Sequence, residues 1–502
     1  MTASRLIPVG YDPIPSHSRE RATRISVTTE IDPSLDAVGF GVHSHGDAPA
    51  ALGVDRDALT KAGFGGLLGE TLLVTRPAGP VFVAVGLGAQ ADQSAHSLRD
   101  AAAAFARASS KCERVGLSLH DMGVDAFVQG QAITEGALLA RYRFTALQSA
   151  PKNTPLVSID LITDATQSEQ VQAGVALGEI TARATNLARD LANNPPGHLT
   201  ATVMGDVALR IGPSHSLKVE VFDKKQLIAL GCGGLLGVNA GSAEEPRMIK
   251  LTYSPAKHTS HIAIVGKGIM YDSGGISLKP SDPMHLIMKM DMAGAAAVLG
   301  AMTALEDLGC PAKVTAFLMC TDNMPSGTAI GLGDVLTIRG GTTVEVKNTD
   351  AEGRLVMADA LVLATEEHPD AIIDIATLTG SALQALGTRV AAVFGNDQDL
   401  VERANAASAN TDESIWQFPL ESRYREQLNS TLADISNMGG PFNVAITAAL
   451  FLNEFVAGIP WVHFDIAGTM HSKKDDSWRT EGATGFGTRL LIDLVVSFAP
   501  RK

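Results

Sequence analysis

In the stretch NTDAEGRL, Asn348–Leu355, two acids and an arginine recur at intervals of two: Asp350, Glu352 and Arg354. The alternating run TTVEVKN precedes them and the helical pattern RLVMADALVLATEE follows, so the charges stand between apolar segments. In an extended segment residues two apart share a face, and these three are expected to project together beside the core. Two other loops carry similar chemistry. HIAIVGKGIMYDSGGISLKP leaves an apolar run through Lys267, reaches Asp272 and returns at Lys279, while MKMDMAGAAAV sets Asp291 ahead of an Ala-rich helix. Singly, each has a plain reading: Asp291 as a helix N-cap, Asp272 as the acid of an Asp-Ser-Gly-Gly turn, Glu352 with Arg354 as a surface ion pair. Gathered in one crevice, such carboxylates cannot all stay ionised unless cations neutralise them. The four acids match the charge of two divalent metal ions, if the loops converge.

What must bring them together is a sheet. HIAIVGKG, KVTAFLMC, AIIDIATLTG and WVHFDIAG are apolar nearly throughout, as strands covered on both faces should be. In mostly parallel sheets of this kind functional groups collect at the carboxyl edge of the strands. A second, earlier set (RISVTTEI, AVGFGVHS, PVFVAVGLG, RVGLSLH, LVSIDLIT) alternates with helical stretches such as LRDAAAAFARASSKC. At 502 residues the chain exceeds what one core usually organises. The expected fold is α/β in two domains: a smaller N-terminal α/β domain over 1–166, a connecting helix over 167–196, and a larger C-terminal catalytic α/β domain over 197–502 with a mostly parallel central sheet covered by helices. The connecting pattern opens with a capping-box-like Ser168 and Gln170 and stops at Pro195 and Pro196.

Composition narrows the function. Hydrophobic residues at 45% against 19% charged describe a globular chain with a large interior. A net charge of −14 without a long basic run argues against nucleic acid as a partner. MTASRLIPVGYDPIPS is no secretory signal and no apolar run reaches membrane-spanning length, so a soluble cytoplasmic protein is expected. Cys112, Cys232, Cys310 and Cys320 show no CxxC spacing. VAVGLGAQA, with Gly86, Gly88 and Ala91, imitates a dinucleotide fingerprint, but ADQSAHS delays the helix that should follow at once. His43 and His45 lack a matching ligand pair, and neither HExxH nor GxSxG is present.

GKGIMYDSGGISLKP, MKMDMAGAAAV, NTDAEGRL, DIATLTG and GATGFGTRLL together resemble, in order and interval, the leucine aminopeptidases, the cytosolic M17 metallopeptidases. The resemblance runs from RDLANNPPGHLTA to the carboxyl terminus and includes LGCGGLLGVNAGSAEEPRMIKLTY; the segment PSDPMHLIMKM is one residue longer than in the best-known members. It implies Lys267, Asp272, Asp291, Asp350 and Glu352 as ligands of two divalent ions, manganese or zinc with magnesium or cobalt as substitutes, Asp272 and Glu352 bridging. Lys267 would have to be neutral, against a free pKa of ~10.4. The same resemblance makes Lys279 and Arg354 catalytic: Lys279 stabilises the oxyanion, and Arg354, helped by the backbone around Ala351, Gly353 and Leu378, holds a bicarbonate that acts as general base on a water activated by both metals. It assigns Met288, Thr377, Gly380, Ala467 and Met470 to the wall of the pocket for the first side chain, with Asn348 and Leu378 also binding substrate. The implied activity is release of leucine and other mainly apolar residues from peptides with a free N-terminus, by a homohexamer of two stacked trimers. A Cys-Gly-type dipeptidase and a non-catalytic DNA-binding, architectural role are the competing functions.

Overall fold

A computed structural model describes residues 7–8, 10–17, 22–120 and 122–499. Part of the amino-terminal stretch read above as no secretory signal, residues 1–6 and 9, lies outside the described residues. The chain divides into two compact units, one of Ile14–Asn186 and Ser472–Gly482, the larger built on Leu187–His471 and completed by segments from both ends of the chain. No helix among the described residues is long and apolar enough to cross a membrane.

The smaller unit has six strands: β1 (Arg24–Thr28), β2 (Ala37–His43), β3 (Thr71–Val74), β4 (Val81–Gly88), β5 (Arg114–Ser118) and β6 (Ser158–Ile162), ordered β1-β6-β5-β2-β4-β3. All pairs are parallel except β3 with β4. The glycines of VAVGLGAQA serve packing here. A Cβ on Gly86 would lie 1.9 Å from the Leu67 carbonyl oxygen, and the next α-helix waits until Ala95, behind a Ser94 capping box. A buried ion pair, Arg99 Nε to Glu135 Oε2 at 2.8 Å, joins two helices, and Thr181 donates to the other oxygen of Glu135 at 2.7 Å. The helix holding Thr181, Ser168–Asn193, ends just before Pro195 as its sequence requires. Its start differs from expectation. Ser168 is already helical and its hydroxyl donates to Asp164 O at 3.3 Å, so no Ser168 capping box forms.

The larger unit adds β7 (Leu217–Phe222), β8 (Arg247–Tyr253), β9 (His261–Asp272), β10 (Lys313–Asn323), β11 (Val335–Thr337), β12 (Thr343–Glu345), β13 (Ala371–Ala376), β14 (Ala391–Gly395), β15 (Ile415–Gln417), β16 (Ile435–Ser436) and β17 (Trp461–Asp465). Eight of them form one sheet, β15-β14-β17-β13-β9-β10-β8-β7, and β11-β12-β16 form a small one. The central four, β17, β13, β9 and β10, are mutually parallel. From β9 the chain moves to β10 on one side and later to β13 on the other, so the order of strands reverses between β9 and β13, where ligand crevices open in such sheets.

Helices cover both faces of β9. Ala263 and Val265 share a core with Leu355, Met357 and Leu361 of the helix Glu352–Glu366. On the opposite face Gly266 lets the helix Ala293–Met302 approach so closely that a Cβ there would stand 2.8 Å from Ala295 Cα. The helix Glu352–Glu366 is fixed by a buried acid: Asp359 accepts from Leu235 N at 2.8 Å and Arg339 N at 2.9 Å. Burial pushes its carboxyl pKa up to about 7 in spite of those amides. The folded chain therefore keeps a proton that the unfolded chain releases near pH 4, and the stability from this group falls as pH rises between those values. We predict that the unfolding free energy of the wild type, measured by denaturant titration, declines relative to Asp359→Asn from pH 4 to 7, by at most about 1.4 kcal/mol per pH unit; parallel pH profiles would refute it.

Candidate active site

Lys267 and Asp272 lie five residues apart on β9, a spacing that places two side chains on opposite faces of a regular strand. The ladder with β10 corrects this. Ile269 pairs with Thr321 and Tyr271 with Asp322, leaving Met270 as an extra residue, and the bulge returns Asp272 to the row of Lys267, facing the helix Glu352–Glu366. Lys267 Nζ then lies 2.9 Å from Asp291 Oδ2 and 2.9 Å from Glu352 Oε1, and donates to the Thr377 carbonyl at 2.8 Å. Lys279 Nζ lies 2.7 Å from Asp272 Oδ2 and 2.6 Å from Asp350 Oδ1. Asp272, Asp350 and Glu352 each bring an oxygen within 4.8 Å of the others. All three loops converge.

The plain readings of the single residues fare unevenly. Asp291 is no N-cap, since Met292 holds that place and Asp291 instead accepts from the Thr377 hydroxyl at 2.6 Å. Asp272 does serve its turn, accepting from Gly274 N at 2.8 Å, while its other oxygen faces Lys279. NTDAEGRL is not extended. Asp350 ends a turn, Glu352 begins a helix, and two steps along a helix rotate a side chain by about 200°. Glu352 and Arg354 thus diverge and form no ion pair; Arg354 Nη1 donates to the Asn437 carbonyl at 2.8 Å and its buried Nε has no acceptor. Gly353, between them, has no room for a side chain, because a Cβ would meet Lys267 Nζ at 2.7 Å.

Polar residues that the sequence did not single out hold these loops. Asn323, at the end of β10, donates to Asp272 Oδ1 at 2.8 Å and to Thr349 O at 3.0 Å; the Thr349 hydroxyl donates to Gly274 O at 2.7 Å. Asp465, at the end of β17, accepts from Leu378 N at 3.1 Å, Thr379 N at 3.3 Å, Ala467 N at 3.2 Å and the Thr379 hydroxyl at 2.7 Å. The amide of Leu378 is therefore committed to Asp465. An acid closing an apolar strand was the available signal for Asp465; Asn323 and Asn437 offered none. Of the remaining pocket residues, Met288 is buried one turn before Asp291, whose amide donates to its carbonyl at 3.2 Å. Met470 is buried beyond β17, Gly380 is exposed at the start of the helix Gly380–Leu386, and neither bonds to the carboxylates. Asn348 turns inward on its own loop, its Oδ1 accepting from Asp350 N at 2.8 Å. PSDPMHLIMKM folds as one helical turn, Pro283–Leu286 capped by Asp282, followed by a 3₁₀ turn to Met290.

Sequence and structure comparisons identify the family. Residues 186–492 match the model of the cytosol aminopeptidase family, catalytic domain, and residues 53–151 that of its N-terminal domain. The chain belongs to the cytosol aminopeptidase family. It is 42% identical to a "Probable cytosol aminopeptidase" of Streptomyces avermitilis, covering 89% of this chain and 91% of that one. A relative of the same description from Streptomyces coelicolor is 40% identical over 94% and 98% of the two chains. Among solved structures it is similar to the bottromycin maturation enzyme BotP in complex with Mn, with TM-score 0.85 and 38% identity over 92% of this chain and 99% of BotP.

The donor set of this aminopeptidase-family site fits divalent metal. Four carboxylates face two ammonium groups, so two negative charges lack compensation. Asp291 Oδ2 and Asp350 Oδ1 meet only the lysines, and Glu352 Oε2 meets no donor at all. Burial pushes Glu352 up to about 6, with Asp272 adding to it, and raises Asp291 well above the carboxylate range. Burial works to lower Lys267 and Lys279, but the surrounding carboxylates outweigh it and both are raised. The site is thus a strong anion short of cations. Manganese added to the chelated protein is predicted to raise the thermal midpoint, by the equivalent of about 2.7 kcal/mol at a hundred times its dissociation constant, and Glu352→Ala to abolish that rise together with activity. A variant with near wild-type turnover would show the acid misassigned.

Proposed function

We propose that the protein removes leucine and other mainly apolar first residues from peptides with a free amino terminus. One observation carries the reading: a buried crevice brings together four carboxylates and two lysines, with a buried arginine beside them that pairs with none of the acids. Asp272, Asp291, Asp350, Glu352 and a deprotonated Lys267 would hold two divalent ions, manganese or zinc, supplying an acidified water and a Lewis acid. The manganese in BotP supports this choice of ion.

Lys279 is the more exposed lysine, its side chain 20% accessible. Once cations satisfy Asp272 and Asp350, its ammonium is free to meet the negative charge that grows on the carbonyl oxygen under attack. Arg354 has the opposite character. Burial lowers its pKa to about 10, which leaves it charged at neutral pH, and its planar fork with an unpaired Nε suits a planar anion held at two points. Arg354 would hold bicarbonate there, which would supply a group able to take a proton and give it back. Leu378 and Ala467, gathered by Asp465, with Thr377, Met288, Gly380 and Met470, would wall the pocket for the first side chain, where methionine adapts readily to apolar groups. The family resemblance supports a cytoplasmic homohexamer.

Purified protein with manganese should hydrolyse leucine p-nitroanilide, lose activity on chelation, regain it with manganese, and refuse the N-acetylated substrate; chelator-insensitive turnover would sink the proposal. Lys279→Ala should lower kcat by roughly 10²–10³-fold while manganese affinity is retained. Loss of affinity would make Lys279 part of the metal cradle instead.

A further inference from the structure

Where β12 and β16 stop pairing, at Glu345 and Ser436, a side chain continues the ladder. Asn437 is fully buried, and its amide donates to Glu345 O at 2.9 Å as a strand residue would. Its carboxamide then acts as a second peptide group: Oδ1 accepts from Lys347 N at 2.8 Å and Asn348 N at 3.3 Å, and Nδ2 donates to Asn348 O at 2.6 Å and Ala351 O at 3.3 Å. Two amides on one side and two carbonyls on the other fix which end of the carboxamide is which. Finally, the Asn437 carbonyl receives Arg354 Nη1. One residue therefore holds both the turn that presents Asp350 and Glu352 and the guanidinium beside them.

We infer that Asn437 is a positioning residue that sets the distance between the metal-binding acids and Arg354, an inference that rests on the aminopeptidase reading for its catalytic consequence. A short carboxamide places two N–H donors and a separate carbonyl acceptor here at once, which the single O–H of serine or threonine does not. Aspartate keeps the acceptor for Lys347 and Asn348 but turns an oxygen toward the carbonyls of Asn348 and Ala351. Alanine leaves both sets of backbone groups unpaired.

The test compares Asn437→Ala and the near-isosteric Asn437→Asp with Asn239→Ala. Asn239 is likewise buried and donates twice, to Glu244 O at 2.8 Å and Thr321 Oγ1 at 3.1 Å, but touches neither the acids nor Arg354. In the metal-free full-length protein, peptide-resolved hydrogen exchange over residues 347–354 should quicken in both Asn437 variants and stay unchanged in Asn239→Ala. Titration calorimetry with manganese should show a dissociation constant weakened about 10–100-fold by either Asn437 substitution, with kcat on leucine p-nitroanilide falling as well. Asn239→Ala should lose thermal stability alone. Wild-type exchange in that segment together with unchanged manganese affinity would overturn the inference. Failure of the wild type itself to bind manganese would instead overturn the aminopeptidase reading, and the metal-free exchange experiment would still decide the role of Asn437. Should Asn437→Ala not fold, Asn437→Asp decides.

Discussion

Four carboxylates in one largely buried crevice repel each other, and the protein answers that repulsion with ammonium groups brought to the same place. Lys267 reaches Asp291 and Glu352, and Lys279 reaches Asp272 and Asp350. Burying a charge without a partner costs several kcal/mol, so neither lysine could stand there without the acids, nor the acids without cations. The surrounding structure follows from this requirement. Gly353 has no side chain because Lys267 needs the room, and Thr377 offers its carbonyl to Lys267 and its hydroxyl to Asp291, holding the base and the acid at once.

The sheet meets the requirement by ending its four central parallel strands in polar residues: Asp272 closes β9, Asn323 closes β10, Asp465 closes β17, and Thr377 directly follows β13. Strand interiors of this sheet are mostly apolar on both faces, with a buried polar cluster as the exception, in which Asp374 of β13 meets the indole N–H of Trp461 and the ring of His463 on β17; most other hydrogen-bonding side chains gather near the edge where the backbone itself runs out of partners. A single extra residue in β9 decides whether Asp272 faces the crevice or the helix behind it.

Much of this was legible in the sequence. Apolar runs identified β1, β2, β4, β5 and β6 of the smaller unit and the four central strands β9, β10, β13 and β17 of the larger, but not β3, the outer strands β7, β8, β14 and β15, or the short β11 and β16; the acid-bearing loops announced the site, because charge set against core is costly and needs a purpose. The local geometry was less legible. NTDAEGRL reads as extended by alternation, yet a helix starts inside it at Glu352 because the apolar spacing that follows is helical. Ser168 looked like a cap and is already in the helix. Asn323 and Asn437 could not be found at all: each acts through backbone groups brought near by tertiary structure, and nothing in the pattern around a lone asparagine reports that.

The groups of the crevice come from widely separated points on the chain, from Lys267 on β9 through Arg354 to Asp465 on β17. β9 and β13, adjacent in the sheet, are separated in sequence by β10, both helices of the crevice and two strands of the small sheet, β11 and β12. Such non-local pairings form late and slowly, since a long loop must close before any contact rewards it. A nascent or cleaved chain that lacks β17 has no Asp465 to gather the Leu378 loop, so that wall of the crevice is held in place only once the last strand of the large sheet has joined it.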